Sequence, residues 1–131
     1  VDPIGYDSSN SPSGAGTIYT YNPNPKYVYF FDAGPGYVNG WTRQGADIKC
    51  TTYGGRLATV DELKRAGSLG FQRCSTGWLK DGAGLYMQKA SSGCGAAGYN
   101  SWPSNDINRK YSAVCTGSSV PNLNLPSQQI S

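Results

Sequence analysis

The sequence predicts an α+β fold, two short helices packed on small antiparallel sheets and held by two disulfides, with an extended arm at each end. Three observations predict it. Thr59-Val60-Asp61-Glu62 is a capping box, in which the Thr59 hydroxyl accepts from a first-turn amide while Glu62 reaches back to the Thr59 amide. Cys74 is followed by Gly77-Trp78-Leu79, the composition of a core strand tied down by a bridge. The chain also has four cysteines and no histidine within 131 residues. Without paired Cys-x-x-Cys spacing, that set argues for two disulfides and an oxidising, secretory environment rather than a zinc site. Four cysteines allow three pairings, and spacing alone does not choose among them.

In chain order, residues 1–16 are rich in Ser, Gly, Asp, Asn and Pro, the composition of a flexible arm. Residues 17–21, Thr-Ile-Tyr-Thr-Tyr, alternate as a strand does, Asn22-Pro-Asn-Pro makes a turn, and residues 26–31 resume with Tyr, Val and Phe. Residues 32–40 form a loop of glycine and proline. Thr42 is the N-cap of a first helix that carries Ala46 and Cys50 and ends before Gly54-Gly55. The second helix follows the capping box, with Leu63, Ala66 and Gly67 on one face and Gly70 as its left-handed stop. Strands are expected over 85–89 and 111–115, with loops of small residues around Cys94 and of Trp102-Pro103-Ser104-Asn105-Asp106 between them. After Gly117, Leu123 and Leu125 lie between prolines, which favours an extended tail.

The series Cys50, Gly54-Gly55-Arg56-Leu57-Ala58-Thr59, Leu63, Gly70-Phe71, Cys74, Gly77-Trp78-Leu79, Gly82, Tyr86, Cys94-Gly95 and Cys115 resembles the Link module, the hyaluronan-binding branch of the C-type-lectin-like fold. The resemblance implies pairing of Cys50 with Cys115 and of Cys74 with Cys94. It divides the chain into an N-terminal arm with an added strand (1–26), a Link-like domain (27–117) and a C-terminal arm (118–131).

It also implies a groove in which tyrosine faces stack on sugar rings and basic side chains meet carboxylates. Tyr86 falls on the family's binding tyrosine, Tyr37 lies close to the tyrosine of the first loop, and Trp102 is placed to supply a second stacking surface. The match is partial. Gly36 or Val38 stands where the family has a lysine, Ala96 replaces an aromatic, and no arginine falls at the carboxylate clamp, Arg109 coming several residues later. Losing two cationic contacts at roughly 1.5–3 kcal/mol each weakens binding of an anionic polymer by orders of magnitude. Stacking on a neutral sugar survives better.

Other chemistries find little support. The absence of histidine removes Ser-His and Cys-His nucleophiles, Glu62 is taken by the helix cap, and Asp81 and Asp106 read as turn residues, so no enzyme, catalytic residue or cofactor is expected. Asn105-Asp106 after Trp102 loosely resembles a calcium-lectin run, but the carboxylate-rich triplet such a site needs is missing, and no metal is expected. A net charge of +3 with dispersed Lys and Arg does not form a nucleic-acid surface. No apolar run reaches bilayer length, and the chain reads as an already processed, secreted form.

Fixing a residue's backbone costs roughly 1–2 kcal/mol, so tails of this composition become ordered only against a surface, either their own domain or another copy. The leading expectation is therefore a non-enzymatic structural or adhesive unit of an extracellular matrix or fibre. In it, other copies are partners joined through Ile18, Tyr19 and Tyr21 in one arm and Leu123 and Leu125 in the other. The alternative is a soluble binder of a hyaluronan-like polysaccharide through Tyr37, Tyr86 and Trp102.

Overall fold

The structure, a computed structural model, describes residues 25–131. The expected strand over 17–21, and with it Ile18, Tyr19 and Tyr21, lies outside the described residues. The elements run β1 (Tyr27–Phe31), α1 (Arg43–Thr52), β2 (Arg56–Leu57), α2 (Val60–Ser68), β3 (Arg73–Leu79), β4 (Gly82–Met87), β5 (Gly98–Ser101), β6 (Ser112–Gly117) and β7 (Ser127–Gln129). The strands form a single sheet in the order β5-β4-β3-β6-β1-β7, with β2 also pairing β6. The antiparallel pairs expected from the sequence are joined into that one sheet by a parallel pairing of β3 with β6, Gly77 opposite Ser112 and Trp78 opposite Ala113.

Both helices begin where their capping residues place them. The Thr42 hydroxyl accepts from the Gly45 amide at 3.1 Å, starting α1. At α2 both halves of the capping box form, Thr59 Oγ1 accepting from Glu62 N at 3.1 Å and Glu62 accepting from Thr59 N at 2.9 Å. The Glu62 carboxylate also takes two 2.8 Å hydrogen bonds from Arg56, whose side chain is almost wholly buried. A charge removed from water to that extent is held by its bidentate partner, so Glu62 serves structure twice. Asp81 accepts from Val60 N at 2.8 Å and adds an acceptor to the same helix end. Gly70, with φ 120°, lies just past the cap residue Leu69.

Strand alternation sorts the core into two clusters, one on each face of the sheet. Tyr29 and Phe31 of β1, Trp78 of β3 and Ala113 and Cys115 of β6 pack with Ala46 and Cys50 of α1. Val28, Phe30, Leu79 and Val114 pack with Leu63 and Ala66 of α2. Cys50 bonds Cys115 and Cys74 bonds Cys94, as the resemblance implied. The first bridge ties α1 to β6 across 65 residues of sequence, and such a bridge contributes about 2–4 kcal/mol.

The C-terminal segment is ordered on its own domain. β7 pairs antiparallel with β1, Phe30 N donates to Pro126 O at 3.0 Å, and Ile130 N donates to Lys26 O at 2.7 Å. Ile130 is buried beside α2, and Arg65 Nε donates to its carbonyl. Leu125, expected to join copies, is partly buried against the core cluster of Tyr29 and Trp78 of its own domain, while Leu123 remains half exposed. The physical reason is the open edge of β1: its unpaired amides and carbonyls give even a Ser-Gln-Gln segment hydrogen bonds that its side chains do not promise.

Candidate functional site

The site is assembled on the α1 side of the sheet, where Tyr37 and Tyr111 belong to the α1-side core cluster. The loop after β1 turns through Pro35–Tyr37, with Gly36 at φ 63° and Tyr37 at φ 58°. A tyrosine in the left-handed region is held there by its surroundings. Tyr37 N donates to Gly34 O, and its hydroxyl accepts from Thr76 N of β3 at 2.8 Å. Its half-buried ring meets Tyr111 edge to face, centroids 5.5 Å apart.

Tyr111 is the inner wall. Its ring lies 5.1 Å from that of Trp78, its backbone pairs with Trp41, and its hydroxyl donates to Pro103 O at 2.8 Å, which ties down the loop before β6. Burial pushes its phenol above the ordinary tyrosine range, opposed by the nearby Arg109 guanidinium. Arg109 lies over this ring, 5.6 Å from the centroid. From the other side, Trp102 N donates to Ala83 O at 2.8 Å, which holds the backbone of a residue that stays 44% exposed.

The result is a cleft of about 480 Å³ lined by Tyr37, Leu85, Trp102, Arg109, Lys110 and Tyr111. A second depression, of about 470 Å³, adjoins it and is lined by Asp32, Pro35, Arg73 and Ser75. Gly36, Tyr37 and Cys74 border both. Tyr37 therefore stands at the border of the two depressions.

Two of the three sugar-binding residues expected from the sequence, Tyr37 and Trp102, meet here. Tyr86 does not line the cleft. Its neighbour Leu85 does, and alternation along β4 sends Tyr86 to the opposite face. There it is half buried against the α2 cluster, its ring so close over Gly67 that a methyl group at that position would collide with it. Conversely, Arg109, which sequence position set apart from any carboxylate clamp, comes to the cleft together with Lys110, which the sequence did not single out, because the 102–110 loop is tied back to Tyr111 through Pro103. Asp106, weighed for calcium and for catalysis, accepts from Asn108 N in a local turn.

The profile of the extracellular link domain family matches residues 28–116. Among individual proteins, the chain is 46% identical to a versican core protein of Mus musculus over 41 residues, 31% of this chain. It is 49% identical to one of Bos taurus over 43 residues, 33% of this chain. Each match covers about 1% of the length of the relative, so the likeness reaches one small part of those proteins.

Proposed function

The chain belongs to the extracellular link domain family, and on that premise we propose that it is a non-catalytic module of the extracellular matrix that binds an acidic, hyaluronan-like polysaccharide in the cleft at Tyr37. The observation that carries this reading is the meeting of two amphipathic rings, Tyr37 and Trp102, with two exposed cations, Arg109 and Lys110, around one open trough. Aromatic faces suit the apolar faces of sugar rings, and a guanidinium suits a carboxylate. The cations missing from their expected sequence positions are thereby replaced from the 102–110 loop, which favours an acidic over a neutral polymer.

Calorimetric titration with hyaluronan oligosaccharides tests it. Trp102→Ala and Arg109→Ala each weaken binding about tenfold or more with little change in thermal stability. Unchanged affinity in both variants refutes the assignment.

The matrix and adhesive role is the setting this binding supplies. Joining of copies through the arms receives no support from the C-terminal arm, whose strand occupies the edge of its own β1. That idea rests on Ile18, Tyr19 and Tyr21 of the other arm and on the half-exposed Leu123. Removal of residues 118–131 is accordingly expected to destabilise the monomer, read as a lower melting temperature, rather than to dissociate particles.

A further inference from the structure

We propose that Asn39 is a self-modifying site: the Gly40 amide nitrogen displaces ammonia from its side chain, and the carboxylate and lengthened backbone that result weaken the adjoining cleft as the protein ages. The modification follows from the loop alone, and only its effect on binding rests on the polysaccharide reading above.

Asn39-Gly40 is the only Asn-Gly pair in the chain. Glycine has no side chain to shield its amide nitrogen and the widest choice of backbone angles, so it is the successor that best lets that nitrogen reach the asparagine Cγ. The fold keeps the pair together. A Cβ at position 40 would lie 2.8 Å from Tyr111 O and 3.0 Å from Tyr37 O, so no larger residue fits there. Asn39 itself is exposed. Asn100, by contrast, precedes Ser101 and has its side chain engaged, accepting from Ala96 N at 3.2 Å and donating to Ala96 O at 2.8 Å.

A hydrogen bond delays the reaction. Gly40 N donates to Tyr37 O at 3.0 Å, so the nucleophile is released only when the turn opens. The turn is poised to open: Gly36 and Tyr37 are consecutive left-handed residues, φ 63° and 58°, and a tyrosine held there carries strain. Val38, inside the turn, is 68% exposed and gives it little packing. On opening, Gly40 N bonds to Asn39 Cγ, the Cγ–Nδ2 bond breaks, and the Gly40 amide proton leaves with the side-chain nitrogen as ammonia. Water then opens the cyclic imide, giving aspartate by attack at Cγ or a β-linked residue by attack at the main-chain carbonyl, with no change of oxidation state.

The β-linked product adds one carbon to the backbone between two anchors, the 2.8 Å bond from Asn39 N to Ala33 O and the pairing of Trp41 with Tyr111. That carbon shifts the rim formed by Gly36, Tyr37 and Val38 against the Tyr111 wall. The new carboxylate also opposes an acidic polymer held by Arg109 and Lys110.

The test incubates the full chain in mildly alkaline buffer at body temperature and divides each sample between peptide mapping by mass spectrometry, isoaspartyl methyltransferase labelling and titration with a hyaluronan octasaccharide. Asn39 is expected to convert ahead of Asn100 and Asn108, and affinity to fall in step, by about threefold to tenfold in fully converted protein. Asn39→Gln, whose longer side chain closes a ring slowly, should hold its affinity throughout. Asn39→Asp, which supplies the carboxylate without the extra carbon, should show part of the loss at once. An Asn39 that stays intact in the folded chain while the denaturant-unfolded chain converts it overturns the site. Conversion with no change in affinity, or an equal decline in Asn39→Gln, overturns the effect on binding and leaves the cleft at Tyr37 standing. Fresh protein that does not bind the octasaccharide overturns the polysaccharide reading and the effect on binding with it, while the peptide map still decides the modification.

Discussion

The two faces of the sheet put the same residue types to different uses. On the α2 face, Leu63, Ala66, Phe71 and Ile130 close over Val28, Phe30 and Val114, and the aromatic that reaches this side from β4, Tyr86, is pressed onto Gly67. On the α1 face Tyr37, Trp102 and Tyr111 border an open cleft. A tyrosine is thus filler or cleft wall according to its place in the fold, not according to its own chemistry. Gly67 is what lets the Tyr86 ring lie flat under α2.

The sharpest break in the contrast comes from the closed face. Leu63→Ala is expected to cost about 2–5 kcal/mol of stability in denaturant unfolding and to leave oligosaccharide affinity unchanged wherever the protein remains folded. The double variant Arg109→Ala/Lys110→Ala should do the reverse. Its affinity should fall by about 2–3 kcal/mol at low salt, its melting temperature should hardly move, and the salt dependence of binding should be shallower than in wild type.

Between these lies Tyr29, buried at the centre of the α1 face with a hydroxyl that makes no hydrogen bond. Burial pushes its phenol up to about 12. A folded pKa raised above the unfolded value means that this contribution is complete below pH 10 and is lost as pH climbs from 10 to about 12. Unfolding midpoints should therefore drop across that interval. Tyr29→Phe should flatten the drop and, by removing an unpaired hydroxyl, raise stability slightly at pH 7. The smallest effect belongs to Tyr86→Phe, which keeps the ring over Gly67 and should change neither stability nor affinity by more than about 0.5 kcal/mol.

Much of this architecture was legible in the residues, and the parts that were not share a cause. Thr42 and Thr59 announced their helices because capping is chemistry between neighbours three residues apart. The bridges followed from a resemblance that supplied the pairing that spacing left open. β5 and β7 were missed because Gly-Tyr-Asn-Ser and Ser-Gln-Gln have little strand propensity and pair only because an edge is offered to them. The face that Tyr86 takes was not legible, because a strand's register decides which of two adjacent side chains looks inward, and register is a property of the sheet. Arg109 was discounted, and Lys110 passed over, for the same reason in another form. Their approach to Tyr37 depends on a loop fastened by the hydrogen bond from Tyr111 to Pro103, a contact across eight residues with no sequence signature.

Residue-resolved NMR titration with a hyaluronan octasaccharide tests the central claim most directly. The account predicts shift changes at Tyr37, Trp102, Arg109, Lys110 and Tyr111, with Tyr86 and Leu63 unmoved. Changes centred on Tyr86 and α2, with the Tyr37 cleft silent, would contradict it.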